Sequence, residues 1–270
     1  MVSQEQRRRQ LAREKFLRQQ QRRTDARRKS RTRNAVIASA LGVVLIGSLA
    51  LYTTGVLKDD GKTNAGAEVT ESASPSKAPD PCDKPAAGKA TTETWKKEPA
   101  MTIDKSADYT MSLATTCGDI DVALKASAAP HTVNSFNFLA GKGYFDHTKC
   151  HRLTTNGIYV LQCGDPTASG SGGPGYQFKD ENLKDKSLKG NVYPAGTVAM
   201  ANSGPHTNGS QFFLVYQDSQ LPPSYTPFGT VSESGMAVLK KIAEAGESTG
   251  AGDGAPNATV VVNKATVAKS

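Results

Sequence analysis

The chain has 270 residues, 37% of them hydrophobic and 21% charged, with a net charge of +8. That excess is local: residues 1–33 carry 13 Lys+Arg against 3 Asp+Glu, which leaves 20 against 22 for residues 34–270. The length allows one or two domains, and the near-neutral remainder excludes a broadly basic nucleic-acid-binding domain.

In chain order, the first predicted segment is the basic arm, residues 1–33. Phe16 is its only ring, so it lacks the interleaved aromatics of a nucleic-acid-binding stretch. It is read instead as a cytoplasmic topology signal attracted to anionic membrane lipid. Residues 35–57, AVIASALGVVLIGSLALYTTGVL, hold no charged side chain. As a helix they would extend ~34 Å, enough to cross a hydrocarbon core. The run is longer than the ~7–15 residues of a cleavable signal core, which favours an uncleaved signal anchor over 34–57. The rest of the chain is then expected outside the cytoplasm, in a single-pass cell-membrane protein.

Residues 58–105 are rich in Lys, Ala, Thr, Ser, Pro, Asp and Gly and read as a flexible linker. Trp95 and Cys82 stand out there as residues suited to packing back on a domain. Residues 106–270 are long enough for one well-buried core. YTMSLATT (109–116) alternates apolar and polar, and Cys117-Gly118-Asp119 turns the chain into a second strand, 120–125. In APHTVNSFNFLAGKGYF, Pro130 suits a first helical turn, Val133, Phe136, Leu139 and Ala140 share a stripe, and Gly141 is a natural stop. The central third, 150–230, reads as short strands between Gly- and Pro-rich loops. A second helix is predicted over SGMAVLKKIAEAG, capped by Ser234 and ended by Gly246. A β-rich segment, ATVVVNKATVA, closes the chain. Two helices among many short strands predict a mainly β domain, either a closed antiparallel barrel or a sandwich with helices at its ends.

Several motifs carry no chemistry on inspection. GSGGPG (170–175) has no following Lys-Ser/Thr and opens no helix, so it is a flexible surface loop and not a phosphate cradle. His147, Cys150, His151 and Cys163 match no common structural zinc spacing. Ser210 lacks a nucleophile elbow. The amides are more telling. Gln211 stands beside Phe212 and Phe213 in a strand, where an unpartnered amide is costly. With Asn202 and Asn208 nearby, apolar walls and a few polar groups describe a cleft for an uncharged, peptide-like ligand.

HRLTTNGIYVLQCGD (151–165), MANSGPHTNGSQFFLVY (200–216), HTVNSFNFL (131–139) and YTPFGTV (225–231) together resemble the cyclophilin peptidyl-prolyl isomerases. The likeness covers essentially all of 106–270 in the same order. The lengthened hairpin resembles in particular that of membrane-anchored cyclophilins of Gram-positive bacteria. The resemblance implies a closed eight-stranded antiparallel β-barrel capped by two α-helices. It also implies cis-trans isomerisation of X-Pro bonds in exported polypeptides, with no cofactor and no metal. Arg152 matches the family's catalytic arginine, and His151 precedes it. Gln162 matches the glutamine beside it, and Tyr159, Val160 and Phe213 match walls of the proline pocket. Ala201, Asn202 and Gln211 match positions that hold the substrate backbone. Leu221 stands where many members have tryptophan and Tyr225 where many have histidine, which implies at most weak cyclosporin binding. A non-catalytic chaperone or proline-peptide-binding module is the alternative. A membrane-tethered cysteine hydrolase using Cys150 is a third reading.

The cysteines are read from the hairpin itself. If Asn156-Gly157 is a two-residue turn, Thr155 pairs with Ile158 and Cys150 lies directly opposite Cys163, within disulfide reach. That register places Arg152 and Gln162 on opposite faces. Bringing them together requires a β-bulge, expected in the second arm, which would itself threaten the Cys150–Cys163 pairing. Four cysteines allow three connectivities, and Cys82–Cys117 follows by elimination.

Overall fold

The computed structural model describes residues 79–269. The basic arm and the apolar run of 34–57 lie outside the described residues, and no helix among the described residues is long and apolar enough to cross a membrane.

Strand β1 (Tyr109–Thr115) turns tightly into β2 (Gly118–Leu124), with Thr115 opposite Gly118. Gly118 takes φ +125°, a conformation that favours glycine, and so completes a two-residue turn at Thr116-Cys117. Helix α1 (Pro130–Gly141) starts with proline in its first turn and buries Val133, Phe136, Leu139 and Ala140, the predicted stripe. The helix runs through Gly141, and Gly143, at φ +64°, makes the left-handed turn after it. The next strands are β3 (Thr148–Lys149), β4 (Arg152–Thr154), β5 (Val160–Cys163), β6 (Val192–Tyr193), β7 (Thr197–Met200), β8 (Phe212–Val215), β9 (Ser219–Gln220) and β10 (Pro227–Val231). Helix α2 (Glu233–Glu244) is capped by Ser232, whose Oγ accepts from the Gly235 N–H at 3.1 Å. The cap is therefore two residues earlier than Ser234, because the extended backbone needed at a cap occurs at Ser232 (ψ 161°). Strands β11 (Asp253–Gly254) and β12 (Val261–Lys269) complete the chain.

Ten strands form one curled antiparallel sheet in the order β11-β4-β5-β8-β7-β10-β2-β1-β12-β3. β3, at one end of that order, and β4, next to the other end, are consecutive in the chain. Between them Cys150 N–H donates to Val260 O at 3.0 Å and His151 N–H to Gln162 O at 3.1 Å. The domain is thus mainly β with two helices, as expected from the strand-rich composition.

Alternation along each strand sorts the side chains into two apolar clusters. Phe212 and Leu214 of β8, Val198 and Met200 of β7 and Leu161 of β5 point into the main core. There Phe136 of α1 meets Phe145, Phe212 and Phe228 with ring centroids 5.2, 5.4 and 4.6 Å apart. The intervening residues, Phe213 and Val215, Ala199 and Val160, form a smaller cluster on the outer face of the same three strands.

Residues 79–105 contain no helix or strand, yet they lie along the domain as a strap. Cys82 is bonded to Cys117, and Ala86 N–H donates to Asn263 Oδ1. The Trp95 ring packs edge-on against Phe138 at 5.1 Å, and the buried Asn134 amide ties down residues 100–102. The segment read as a linker is, over this stretch, part of the packed surface.

Candidate active site on the outer sheet face

The hairpin of β4 and β5 has a different register from the one a two-residue turn would impose. Asn156 bridges Ile158 across Gly157, and Leu153 lies opposite Leu161. Thr155 N–H is drawn to Gly252 O at 2.9 Å, and Tyr159 N–H to Ser219 Oγ at 2.8 Å. These outside partners, together with the bond from Val160 N–H to Thr154 Oγ1, set the tip. The bulge is in the first arm: Arg152 is the Cα partner of Gln162, while His151 N–H donates to Gln162 O, so two residues face one. Beyond it Cys150 is brought back opposite Cys163, and the two are bonded with Cα atoms 4.1 Å apart. Both expected disulfides are present and no cysteine is free, which removes the cysteine-hydrolase reading. It also removes Cys150 and Cys163 as metal ligands.

The bulge puts Arg152 in line with three neighbours. Arg152 pairs with Gln162, Gln162 with Phe213, and Phe213 with Ala199, a single cross-strand row over β4, β5, β8 and β7. Polar side chains connect along this face. Arg152 Nη1 donates to Gln162 Oε1 at 3.2 Å, Gln162 Nε2 to Gln211 Oε1 at 2.9 Å, and Gln211 Nε2 to Gly172 O at 2.9 Å. Every amide in the series is oriented by the next, which answers the cost of holding Gln211 in an apolar strand. Ala201 N–H donates to Gln211 O at 2.9 Å. Asn202 Nδ2 donates to Ser224 O at 2.9 Å and pins the adjoining loop.

Asp253 was not found from the sequence. Its carboxylate accepts from Arg152 Nε at 2.7 Å and Nη2 at 2.8 Å, a two-point grip from β11. The Asp253 hydrogen bond pushes the guanidinium further above its ordinary pKa, and Arg152 in turn holds the Asp253 carboxyl below the usual range. The charge on Arg152 is therefore present at every working pH. Nothing near Asp253 in sequence signals a site; only the pairing of Asp253 with Thr154 does so.

Apolar walls adjoin the row. Val160, Tyr193, Ala199, Phe213 and Val215 form the outer cluster, with Ile158, Leu188, Ala201, Leu221 and Tyr225 packed against it. Tyr225 meets Phe213 edge-on at 5.5 Å, and Tyr193 Oη donates to Tyr225 O at 2.8 Å. Tyr159 is not in this cluster. Its ring lies against Tyr216 at 5.9 Å, in a separate cleft bordered by Lys240 of α2. Ile158 takes the place beside the outer cluster, because it is two residues from Val160 and shares its face, whereas Tyr159 points to the other.

His151 stands beside the Gly170 loop with both ring nitrogens buried and without hydrogen bonds. Burial lowers its pKa, outweighing the opposite effect of Asp165 and aided by Arg152, so the ring is neutral. Asn208 belongs to the scaffold: its Nδ2 donates to Asp180 Oδ1 at 2.9 Å. Ser210 also has a structural part, donating to Gly164 O at 2.7 Å. The Gly-rich loop is more ordered than its composition implies. The fully buried Asp165 carboxylate accepts from Thr167, Gly170 and Gly172 N–H groups at 2.8, 2.7 and 3.0 Å. The loop so held is one side of a cavity of about 760 Å³ that shares Gln162, Ala201, Asn202 and Gln211 with the row.

A family model for "Cyclophilin type peptidyl-prolyl cis-trans isomerase/CLD" matches residues 110–267. Among curated proteins, the probable peptidyl-prolyl cis-trans isomerase B of Mycobacterium leprae is 48% identical over 208 residues, covering 74% of this chain and 66% of its own. That of Mycobacterium tuberculosis is 44% identical over 207 residues, covering 74% of this chain and 63% of its own. The chain thus spans slightly under two thirds of the length of these relatives. A crystal structure of a cyclophilin type peptidyl-prolyl cis-trans isomerase from Cryptosporidium parvum aligns with a TM-score of 0.50 at 27% identity, over 60% of this chain and 99% of that one. The same protein in the presence of the dipeptide Ala-Pro aligns equally well, at 28% identity. Because the family match runs over more than half of the chain and agrees with the curled sheet and its two helices, the protein belongs to the cyclophilin-type peptidyl-prolyl cis-trans isomerase family.

Proposed function

We propose that the chain is a peptidyl-prolyl cis-trans isomerase, with the outer apolar cluster as its proline pocket and Arg152 as the catalytic residue. The observation that carries this reading is the row from Arg152 through Gln162 to Phe213, a charged donor set beside an apolar wall. An X-Pro bond resists rotation with a barrier of ~18–20 kcal/mol because the nitrogen lone pair is delocalised into the carbonyl. Unassisted rotation takes tens to hundreds of seconds. A guanidinium N–H aimed at the prolyl nitrogen favours the localised lone pair that exists only in the twisted state. That is binding selective for the transition state, and it needs no proton transfer. Asp253 and Gln162 engage three of the five guanidinium donors, leaving N–H groups for the substrate. Phe213, Val160 and Leu221 hold the ring, with Tyr225 at the rim. Gln211, Ala201 and Asn202 hold the backbone on one side while the other turns.

The charge-free run at 35–57 behind a basic arm supports a single-pass membrane anchor, with the N-terminus cytoplasmic and the domain outside. Two disulfides suit that oxidising location. The clients are then proline-containing segments of exported proteins, and lipid meets the anchor and the arm. The continuity of β3 and β4 through Cys150 supports reading the curled sheet as a barrel closed by that one segment, with eight strands of three or more residues around it.

The test is turnover of an Ala-Pro peptide by the full chain and by Arg152→Ala. Loss of one preorganised donor typically costs about 10²–10³ in rate. Near-native turnover in a folded Arg152→Ala protein would instead support a chaperone that only binds proline segments.

A further inference from the structure

The cavity beside the row has a wall that does not come from the barrel. Lys96 and Lys97 of the strap line it together with Glu98, and these three are the only charged residues in its lining. The remaining lining consists of neutral groups, including Gln162, Gln211 and the Gly172–Gly175 backbone. Charge in the lining itself therefore comes from the strap, while Arg152 and Asp165 stand one hydrogen bond behind Gln162 and the Gly170 and Gly172 backbone.

The strap is held where it can supply it. Trp95 N–H donates to Pro174 O at 2.8 Å, and Gly175, at φ +87°, leaves room for the Trp95 carbonyl, which a Cβ would approach within 2.8 Å. The indole is wedged against Phe138 and Tyr144, with centroids at 5.1 and 5.8 Å. On the other side, Asn134 accepts from Thr102 N–H at 2.9 Å and donates to Ala100 O at 3.0 Å. Lys96 and Lys97 sit between two anchors, so their backbone is preorganised although their side chains are exposed. Glu98 is turned aside onto His131 Nδ1 at 2.6 Å. Neither lysine has an ion-pair partner among the described residues.

We infer that strap residues Lys96 and Lys97 make this isomerase prefer polypeptides with an acidic residue flanking the proline, on the side that passes Gln211 and Ala201 into the cavity. The inference rests on the isomerase reading above. The cavity shares Gln162, Gln211, Ala201 and Asn202 with the proline cleft, so a chain held by those amides continues into it. Two cations against one engaged carboxylate give the lining a net positive charge, to which Arg152 behind Gln162 and Asp165 behind the Gly loop add opposite charges. The cavity's volume is that of a ligand-sized site. Charge discrimination of this kind acts on differences between substrates and is screened by salt.

The experiment uses the full chain and pairs of proline peptides that differ only in Glu or Lys at successive flanking positions. Isomerisation and binding, by fluorescence anisotropy, are measured in wild type and in Lys96→Glu/Lys97→Glu. At one flanking position, wild type is expected to favour Glu over Lys by about threefold to tenfold in kcat/KM, the range that two exposed charge pairs allow. The preference should shrink at 0.5 M salt and reverse in the double variant. Trp95→Ala, which frees the strap, should also erase it. An equal ratio in wild type and the double variant, or no preference at any position, overturns the inference. Turnover of a short Ala-Pro peptide by wild type reports separately on the isomerase reading. If that turnover is absent, the Glu-against-Lys binding ratio still decides whether the strap selects charge.

Discussion

Arg152 and Asp253, 101 residues apart in sequence, are joined by two hydrogen bonds, Nε to Oδ1 at 2.7 Å and Nη2 to Oδ2 at 2.8 Å. The planar guanidinium has a fixed fork of donors, so a two-point carboxylate grip sets its plane as well as its position. The edge carrying Nη1 is thereby directed along the sheet toward Gln162. Asp253 is a positioning residue on this account. Asp253→Asn keeps the shape but removes the charge and one acceptor. The expected result is a fall of about ten- to a hundredfold in kcat, the scale on which misplaced catalytic groups act, with KM and melting temperature nearly unchanged. A rise in KM with constant kcat would make the residue part of substrate binding instead.

The Cys150–Cys163 bond spans a separation of 13 residues and sits at the open end of the β4–β5 hairpin, next to the bulge. Closing a loop of that size constrains the unfolded chain by about 3 kcal/mol. Replacing both cysteines with serine should lower the melting temperature by roughly 6–12 °C for a domain of this size. Dithiothreitol should lower the stability of the native protein in the same direction. Because the bulge aims Arg152, the double variant should also lose activity at temperatures where it is still folded. Calorimetry and turnover on one sample check both outcomes.

Asp165 provides a pH dependence. Burial pushes its carboxyl up, but the Thr167 hydroxyl and the Gly172, Thr167 and Gly170 N–H groups outweigh burial and hold it at about 2, against an ordinary 3.8. A carboxyl depressed on folding stabilises the native state above its unfolded pKa and loses that contribution as pH falls through the folded value. The window is therefore pH 4 down to 2, and the loss is about 2 kcal/mol. Urea denaturation of wild type should steepen over that window, whereas Asp165→Asn should be less stable at neutral pH but flatter below 4. Equal acid slopes in the two proteins would contradict this account. Because the carboxylate organises the 167–172 loop, Asp165→Asn should also disturb the Gln211–Gly172 contact.

Leu221 packs against the outer cluster, at the rim beside Tyr225. Leucine offers neither an indole N–H nor a broad aromatic face there. Cyclosporin-type macrocycles should accordingly bind more weakly than to family members with tryptophan at this position, and Leu221→Trp should tighten binding. Titration calorimetry on the two proteins measures the difference, and equal affinities would make the rim residue irrelevant.

Local pattern determined much of this protein. The alternation in 109–116, the proline and apolar stripe of 130–141 and the periodicity of 234–246 each carry their own periodicity, so these elements are legible without knowledge of the rest. The pairing of the two hairpin cysteines follows from a two-residue turn that the structure does not have, and it survives because the bulge at His151 and Arg152 brings Cys150 back opposite Cys163. The runs 151–165 and 200–216 point to the proposed site residues through likeness to a family. Tertiary structure decided the remainder, and in each case a partner remote in sequence was responsible. Thr155 and Tyr159 bond to Gly252 and Ser219, which moves the hairpin tip by one residue from the two-residue turn. The bulge at His151 and Arg152 reconciles the disulfide with a shared face for Arg152 and Gln162, which neither end of the hairpin could specify alone. Asp253 reaches Arg152 only because β11 pairs with β4. The strap has no periodicity of its own; its course is set by where Cys117, Phe138, Asn134 and Pro174 offer a bond or a surface. Periodicity reports which face of an element is buried, but which distant group lies against that face is settled only when the whole chain packs.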